Sequence, residues 1–382
     1  MSSHRLPVAV CVINYQGRAV LTETLEAIRA QRPSPSRIIL VDNASEDGSA
    51  EMVRDRFAEV EVIRLAANRG PGPAREAGFA AAGSRYVCMI DNDVAPEPGC
   101  LARLAEALAA DPAAALAMPR IVHAHDPARI QYDGAIAHFL GVMAIENQEV
   151  PRDCSSCVVH PIGSIIGACF LVDRMRWGDH PLQSEGFFIY HEDHDLGLRA
   201  RQLGLGILSV PSAVCRHGKG TADLSIRATG TFTERRVLCT IANRWRIILM
   251  RYQLRTIFLL APTFALFELL QFAGSLKKGW HRHWQAAART IWRERQTIMA
   301  ERRAWQAKRR LSDGEVLLGG PPPFHPKLLE GRVEQLGYWC LSRLGDLNWR
   351  LALPLLKMGW PRSIGTPPAV AHGRAGKNER EA

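Results

Sequence analysis

The feature that most constrains the fold is the alternation, from residue 6 onward, of short apolar runs with helical stretches. The runs VAVCVI, RIILVD and YVCMI are apolar without a polar alternate position, which is typical of strands buried on both faces, and VEVIRL is a further predicted strand. Between them stand LTETLEAIRAQ, SAEMVRDRFA and GPAREAGFAAAG, which have helical composition. Strands interleaved with helices predict an α/β fold with a mostly parallel sheet and right-handed crossovers.

This pattern does not extend over the whole chain. We predict one α/β domain over residues 6–222 and a helical region over residues 225–311. A break rich in Pro and Gly, GGPPPFHP, follows within a C-terminal extension, residues 312–363, which has two short stretches rich in Trp and Leu. Residues 364–382 are polar and are predicted to form a disordered tail.

Composition and charge limit the class of protein. The chain has 382 residues, of which 47% are hydrophobic, so it can build a large core. Its formal net charge of +10 favours an acidic partner, such as phosphate groups, nucleic acid or an anionic lipid surface. The nine cysteines show no disulfide framework or zinc-finger spacing, and we expect reduced thiols and a cytoplasmic protein without a signal peptide.

Polar side chains gather where the predicted strands end. In an open parallel sheet, ligands bind beyond the C-terminal ends of the strands. A single Asn or Asp there is as often a turn residue or a helix cap, but the same feature at four strand ends indicates a ligand site. The residues concerned are Asn14, Asp42, Asn68 with Arg69, and Asp91 with Asn92 and Asp93.

Asp91 and Asp93 carry the most specific chemistry of this group. Side chains at positions i and i+2 of an extended segment point the same way, so the two carboxylates would repel each other. A bound Mg²⁺ or Mn²⁺ removes that repulsion, and these ions take carboxylates and substrate phosphates as ligands. The pair therefore predicts a metal site that holds a diphosphate, with a metal-free turn as the alternative.

Two later segments hold further candidate groups. In YHEDHDLGLR, Glu192 and Asp193 precede an amphipathic helix, where a carboxylate open to a cleft could act as a general base. Asp195 in the same segment is assigned a structural role in the first helical turn. In VCRHGKG, His217 follows a short strand and precedes two glycines, so it could complete the metal site, although an isolated His is more often structural.

Together these motifs resemble those of family 2 glycosyltransferases of the GT-A fold. The motifs, in the family's order, are VCVINYQG, ILVDNASEDGS, NRGPGPAREAG, MIDNDVAPEP, GACFLVDR, YHEDHDLGLR and CRHGKG. The resemblance implies a non-processive, rhamnosyltransferase-like enzyme that transfers a sugar, with inversion, from a nucleotide-diphospho-sugar. We expect a glycan or polyprenyl-linked acceptor in cell-envelope polysaccharide synthesis, and no nucleic-acid partner.

The resemblance also implies roles for individual residues. They are Asn14 and Asp42 in the nucleotide pocket, Asp91, Asp93 and His217 at the metal, and Asp193 as the catalytic base, with Glu192 as the next candidate. Further donor contacts are expected from Asn68, Arg69, Asp91 and Asn92. One departure is Glu76, where many relatives carry Asn.

Three other functions fit parts of the sequence. VIRLAANRGPGPAREAG resembles a dinucleotide-binding turn, but Arg75 occupies the third glycine position of that fingerprint. A processive polysaccharide synthase would carry Gln-x-x-Arg-Trp after the catalytic domain, and NRWR is not that motif. A GT-A-fold protein without activity, acting as a binding module, is the third alternative.

The helical region contains a strongly apolar segment, residues 247–274. Within it, Thr256–Ala273 could span a bilayer if helical, but Pro262 and Glu268 interrupt the apolar sequence. Arg, Lys and Trp residues flank it on both sides, as they do at membrane interfaces. We predict peripheral or monotopic attachment to anionic lipid at the cytoplasmic face of the inner membrane. A helical subdomain packed on the catalytic domain and a true span are the alternatives.

Overall fold

The computed structural model describes residues 5–218, 232–325 and 328–358. In these residues the strands are β1 (Leu6–Asn14), β2 (Pro35–Asp42), β3 (Val60–Arg64), β4 (Tyr86–Asp91), β5 (Val94–Pro96), β6 (Ala114–His123), β7 (Ile130–Tyr132), β8 (Gly134–His138), β9 (Val142–Glu146), β10 (His160–Pro161), β11 (Cys169–Asp173) and β12 (Gly206–His217). The helices are α1 (Leu21–Arg29), α2 (Ser49–Arg56), α3 (Pro71–Ala82), α4 (Cys100–Ala110), α5 (Arg174–Trp177), α6 (Glu192–Gln202), α7 (Glu234–Arg251), α8 (Leu254–Leu259), α9 (Ala261–Lys277), α10 (His281–Arg293), α11 (Arg295–Gln306), α12 (Asp313–Val316) and α13 (Arg332–Lys357).

The strands build a mixed sheet with the order β10-β12-β6-β11-β4-β1-β2-β3, to which β5 and β7 add at β12 and β6. The half formed by β4, β1, β2 and β3 is parallel throughout, as the alternation of strands and helices predicted. In the other half, β12 runs parallel to β6, and β11 lies antiparallel between β4 and β6. The carboxyl ends of β1, β2 and β4 therefore meet at one edge of the sheet.

Helices cover the sheet closely, which explains the apolar runs without alternation. In β1, residues 8–14 are all buried. Helix α3 packs on β1 and β2, and α4 packs on β6 and β12. At Gly78 of α3 a Cβ atom would lie only 3.0 Å from Cβ of Cys11, so a side chain there would push the helix off the sheet.

The helices after residue 232 pack against the α/β part rather than standing apart from it. One apolar cluster joins Phe139 and Leu140, which follow β8, to Ile247 of α7 and Trp349 of α13. The ring of Phe139 stacks on that of Trp349 with 5.1 Å between centroids. The structure thus shows the packed helical arrangement that was one of the sequence-based alternatives.

Two findings in this region bear on the sequence-based expectations. The Trp- and Leu-rich stretches of the C-terminal extension form a single helix, α13, because Leu341, Gly345, Trp349, Ala352 and Leu356 make one continuous buried stripe. The apolar segment 247–274 is not one helix, since the chain leaves helical geometry at Tyr252 and Gln253 and breaks again at Leu260, so Thr256–Ala273 is divided between α8 and α9. Across the described ranges, no helix combines the length and the apolar character needed to span a bilayer.

Some predicted boundaries cannot be compared with the structure. The change from the α/β domain to the helical region at 222–225 and the predicted tail, 364–382, both lie outside the described residues.

Candidate active site

Asn14, Asp42 and Asn92 form one buried network at the carboxyl ends of β1, β2 and β4. Asn14 Nδ2 donates to Asp42 Oδ1 at 2.9 Å, and Asn92 Nδ2 donates to Asn14 Oδ1 at 2.9 Å. Asn14 and Asp42 have no exposed surface, and Asn92 is 7% exposed. The three predicted donor-binding residues therefore lie together, with their polar atoms engaged by one another beneath the strand ends.

The loop after β3 brings Asn68 and Arg69 to the same edge. Asn68 Oδ1 accepts from Asn43 Nδ2 and from the Gly70 backbone N–H, both at 2.9 Å. Gly70 has φ of +90° and lies so close to the carbonyl of Phe188 that a Cβ would clash, so only glycine fits there. Asn68 thus shapes the loop, and the Arg69 side chain is exposed to solvent.

Asp93 and His217 come together from different strands. His217 Nε2 lies 3.5 Å from Asp93 Oδ1, and both side chains are less than a tenth exposed. His217 is in register with Val94 of β5, which fixes the pair. Asp91 is close by at the end of β4, where burial raises the pKa of its carboxyl group, the Asp93 charge adds to the rise, and the Arg75 guanidinium opposes it.

Gln131 sets the orientation of the His217 ring. The Gln131 side-chain oxygen lies 2.8 Å from His217 Nδ1. Because an amide oxygen only accepts, Nδ1 carries the hydrogen, and a neutral ring then directs the Nε2 lone pair toward Asp93. Metal-binding histidines are commonly held in this way.

The side chains of Asp91, Asp93 and His217 are of the types that bind a divalent cation, although they do not converge on one point. Carboxylate oxygens and an imidazole nitrogen are ligands that Mn²⁺ accepts. In the ranges that the structure describes, no group of three or more His, Cys, Asp or Glu side chains is arranged to hold a metal ion. The Asp91 carboxylate binds Arg75 at 3.1 Å.

Arg75 of α3 connects the two acidic segments of the site. Its Nη1 donates to Glu192 Oε1 and its Nη2 to Asp91 Oδ1, each at 3.1 Å, and Nη2 also donates to the Gly167 carbonyl. The residue is only 2% exposed, so its positive charge is balanced inside the protein by these carboxylates. One guanidinium thus places the end of β4 beside the start of α6.

Glu192 and Asp193 begin α6 in different surroundings. Asp193 Oδ2 accepts from the Gly167 N–H at 2.9 Å, and its Oδ1 accepts from the His194 N–H at 2.8 Å. Burial raises the pKa of Asp193, and these backbone bonds oppose the rise. Glu192 is 6% exposed, and burial together with the charge of Asp193 raises its pKa to about 7. A carboxyl group with such a pKa can exchange protons near neutral pH.

A strained turn presents these two carboxylates. Tyr190 and His191 both have left-handed backbone conformations, with φ of +67° and +64°. Side chains disfavour this conformation by roughly 1–2 kcal/mol per residue, so surrounding contacts must hold it. Asn243 of α7 supplies them, because its Nδ2 donates to the carbonyl oxygens of Ile189 at 2.9 Å and Tyr190 at 2.7 Å.

Asp195, one turn into the helix, has a different environment. It is fully buried, and its carboxylate binds Arg199 at 2.9 Å and Arg251 at 2.6 Å. Arg251 belongs to α7, so this ion pair fastens α6 to the helical region. The contacts are those of a structural residue, which is the role that the sequence predicted.

Comparison with known proteins identifies the family of the N-terminal segment. Residues 9–174 match the family model described as glycosyl transferase family 2. This segment is a family 2 glycosyltransferase domain. The predicted family and enzyme class are confirmed for this segment.

Relatives with known roles are similar over part of the chain. N-acetylglucosaminyl-diphospho-decaprenol L-rhamnosyltransferase of Mycobacterium tuberculosis is 27% identical over 234 residues, which are 55% of this chain and 75% of that protein. Succinoglycan biosynthesis protein ExoO of Rhizobium meliloti is 33% identical over 100 residues, 26% of this chain and 29% of that protein. The glycosyltransferase is thus similar to enzymes of cell-surface glycan synthesis.

A solved structure shows the fold. The crystal structure of GalNAc-T7 with UDP, GalNAc and Mn²⁺ aligns with a TM-score of 0.55 and 16% identity, over 77% of this chain. This chain spans 58% of that protein's length. The likeness confirms the predicted GT-A fold, and with it the dinucleotide-binding alternative for the segment around Arg75 is wrong.

Sequence reasoning missed several residues of this glycosyltransferase site. Gln131 and Asn243 lie in none of the quoted motifs, and each is placed by a contact between distant segments. Gly167 begins the motif GACFLVDR, but its contact with Asp193 was not predicted. Arg75 was considered only as a mismatch to a glycine fingerprint. Its signal was available, because Arg75 is the one cation of GPAREAGFAAAG, a helix in which Glu76 is the only other charged residue and which follows a polar strand end.

Proposed function

We propose that this glycosyltransferase moves a sugar, with inversion, from a nucleotide-diphospho-sugar to a glycan or lipid-linked acceptor in cell-envelope polysaccharide synthesis. The observation that carries the proposal is the double contact of Arg75 with Asp91 and Glu192, each at 3.1 Å. These contacts place the acidic end of β4 and the carboxylates of α6 on two sides of the Arg75 guanidinium. A donor diphosphate and an acceptor hydroxyl could therefore be bound next to each other.

Asp93 and His217, with Asp91 nearby, would hold Mg²⁺ or Mn²⁺. When bound, such a cation supplies Lewis-acid stabilisation of the charge that develops on the leaving diphosphate. Burial and the Asp93 charge both raise the pKa of Asp91, and a cation bound at this point would offset the repulsion between the two carboxylates. The GalNAc-T7 structure of the same fold was solved with UDP and Mn²⁺, which is in keeping with this assignment.

Asp193 would accept the proton of the acceptor hydroxyl. Its two bonds from backbone N–H groups fix the carboxylate in place, and the residue is partly open to solvent. A positioned base of this kind contributes about 10²–10⁴-fold to the rate. Glu192 is the next candidate, since its pKa of about 7 suits proton transfer, but it is more deeply buried and bound to Arg75.

The donor pocket would be formed around the strand ends. The network of Asn14, Asp42 and Asn92 gives it a rigid floor, and Asn68 shapes one wall. Arg69 is exposed at the rim, where a guanidinium could bind phosphate oxygens.

The acceptor and the location are proposed from similarity and charge. The M. tuberculosis relative is named for a decaprenol-linked acceptor, and we propose a polyprenyl-linked glycan here too. Such a substrate would require peripheral attachment at the cytoplasmic face of the inner membrane, which the net charge of +10 supports. In this scheme residues 6–222 are catalytic, residues 225–311 associate with the membrane and residues 312–363 form an extension.

A screen of nucleotide-sugars tests the proposal. The purified full chain is incubated with Mn²⁺ and with rhamnose, galactose, mannose or N-acetylglucosamine donors, and released nucleoside diphosphate is measured. We expect hydrolysis of one donor, loss of activity with excess chelator, and loss of activity in Asp93→Asn. Absence of hydrolysis and of donor binding with every nucleotide-sugar would contradict the proposal.

A further inference from the structure

The outer face of α13 carries large apolar side chains that point to solvent. At 100° per residue they fall on one side of the helix, with exposures between 49% and 77%, and are Val333, Leu336, Leu344, Leu347, Leu351 and Leu355. The opposite face of the same helix, which includes Leu341, Trp349 and Leu356, is at most 5% exposed. The helix is therefore apolar on two sides, and within the described residues the fold uses one of them.

The exposed stripe has neighbours on α8. Arg255 of α8 donates to the carbonyl of Leu355 at 3.5 Å and to that of Met358, so α8 lies beside the end of α13. On α8, Leu254 is 72% and Phe258 is 80% exposed. We call the outer residues of α13, together with Leu254 and Phe258, the α13 face. Single exposed leucines are ordinary, but a continuous row of this length is typical of a surface that binds a membrane or another molecule.

Basic side chains accompany the stripe. At 100° per residue, Arg332, Arg343 and Arg350 fall on one flank of the apolar row, and all three are exposed. Arg350 is 74% exposed and pairs with Asp346 at 2.8 Å, and the other acidic residue of the helix, Glu334, pairs with Lys277 of α9. The apolar row is thus bordered by arginines whose long side chains can reach past it, which is the pattern of a helix at an anionic lipid interface.

We propose that the α13 face docks on an anionic lipid bilayer, with α13 lying in the plane of the interface. The inference deepens the proposed function and rests on it, because a lipid-linked acceptor would be presented at that surface. It places most of the membrane contact on α13, in residues 312–363, and retains Leu254 and Phe258 from the segment that the sequence favoured. In α9, Phe267 is buried, and Glu268 accepts from Arg244 and from Trp245 Nε1 at 2.8 Å, so this part of the helix packs against α7. Leu269 and Leu276 of the same helix are exposed.

Two alternatives to a lipid surface could also cover the α13 face. One is a second copy of this chain, and the other is the segment 359–382. That segment contains Trp360, Ile364 and Val370 as its large apolar residues, which is little to cover a helix of 26 residues. The arginine border favours a lipid surface over either of them, because anionic headgroups complement it.

The test is sedimentation of the full chain with vesicles of phosphatidylglycerol and phosphatidylethanolamine, compared with vesicles of phosphatidylcholine. The variant is Leu344→Gln/Leu347→Gln/Leu351→Gln. Its matched control is Val158→Gln/Met175→Gln, which removes apolar side chains of similar exposure, 70% and 74%, from the α/β part. Since all the substituted side chains are exposed, both variants are expected to keep the thermal midpoint of the wild type.

We expect the wild type and the control to bind the anionic vesicles, and the triple variant to bind them about tenfold or more weakly. Arg343→Gln/Arg350→Gln should weaken binding about fivefold per arginine at low salt and much less at high salt. Equal binding by the triple variant and the control would overturn the proposal. So would a wild type that forms dimers, loses them in the triple variant and binds no vesicles.

Donor hydrolysis without lipid separates this proposal from the proposed function. We expect the triple variant to hydrolyse the donor as the wild type does, since α13 contributes no residue to the cleft. Vesicle binding without any donor hydrolysis would support the docking surface and contradict the proposed glycosyltransferase activity. Deletion of residues 359–382 should leave vesicle binding unchanged, and binding that increases at least tenfold on deletion would show that this segment covers the face.

Discussion

Asn243 Nδ2 binds the carbonyl oxygen of Tyr190 at 2.7 Å, and Tyr190 is the first of two consecutive residues with left-handed backbone that lead into the acidic start of α6. A helix of the C-terminal region thereby holds a turn of the α/β domain. The turn sets the positions of Glu192 and Asp193 at the start of α6, so the orientation of the proposed base depends on α7.

Replacing Asn243 by Ala should lower turnover by about tenfold to a hundredfold, because small misplacements of catalytic groups have effects of that size. KM for the donor should change little, since Asn243 lies outside the strand-end pocket. Steady-state kinetics checks both values. Asn348→Ala is the matched control, because Asn348 also donates to a backbone carbonyl, that of Leu259, in a part of the structure away from the site. Equal turnover in the two variants would show that the turn keeps its shape without Asn243.

Asp193→Asn should reduce kcat by about two to four orders of magnitude, since the amide keeps the shape of the side chain and removes its basicity. Donor affinity, measured by calorimetric titration, should remain near that of the wild type. Asp179→Asn serves as the control because Asp179 is an exposed carboxylate away from the cleft. If Asp193→Asn retained wild-type turnover, the base would lie elsewhere, and Glu192 would be tested next.

Glu192 should make folding stability depend on pH. Burial raises its pKa from 4.5 to about 7, so the folded protein holds this proton more tightly than the unfolded chain does. The stabilisation from the proton is complete below about pH 4.5 and is lost as pH rises through about 7. Relative to the wild type, Glu192→Gln should therefore gain up to about 3 kcal/mol in unfolding free energy between pH 4.5 and 8. Urea unfolding at several pH values measures this, and parallel pH profiles for the two proteins would refute it.

Gln131→Leu should raise the Mn²⁺ concentration needed for half-maximal donor hydrolysis by about 10–100-fold, because the imidazole of His217 loses the acceptor that orients it. Activity should recover at high Mn²⁺, whereas His217→Ala should not recover. Gln253→Leu is the control, since Gln131 and Gln253 are both 7% exposed and Gln253 contacts Asp313 far from the cleft. An unchanged Mn²⁺ requirement in Gln131→Leu would mean that His217 is not a ligand.

The residues at the strand ends could be predicted because topology alone brings them together. Asp91 and Asn14 end parallel neighbours, so their positions in the sequence determine their positions at the sheet edge. The contact of Arg75 with Glu192 joins residues 117 apart, and that of His217 with Gln131 joins residues 86 apart. Such pairs depend on how whole segments pack, which no local pattern records.

Helix α13 shows that secondary structure, too, can depend on packing that the local sequence does not record. Gly337 and Gly345 lower the helix propensity of this region, where the sequence shows two short stretches rich in Trp and Leu. In the structure a Cβ at Gly337 would lie 3.0 Å from Leu270 of α9, and one at Gly345 would lie 3.2 Å from Thr263. The glycines let α13 and α9 approach closely. The stabilisation from this packing outweighs the loss of helix propensity at the two glycines.

The double contact of Arg75 makes the two ends of the cleft thermodynamically linked. Its positive charge lowers the proton affinity of Asp91 and of Glu192 at the same time. A diphosphate that draws the guanidinium toward the donor side takes part of that charge away from Glu192, whose proton is then held more tightly. By reciprocity, the protonation state of the α6 carboxylates must alter the affinity for the donor by the same free energy.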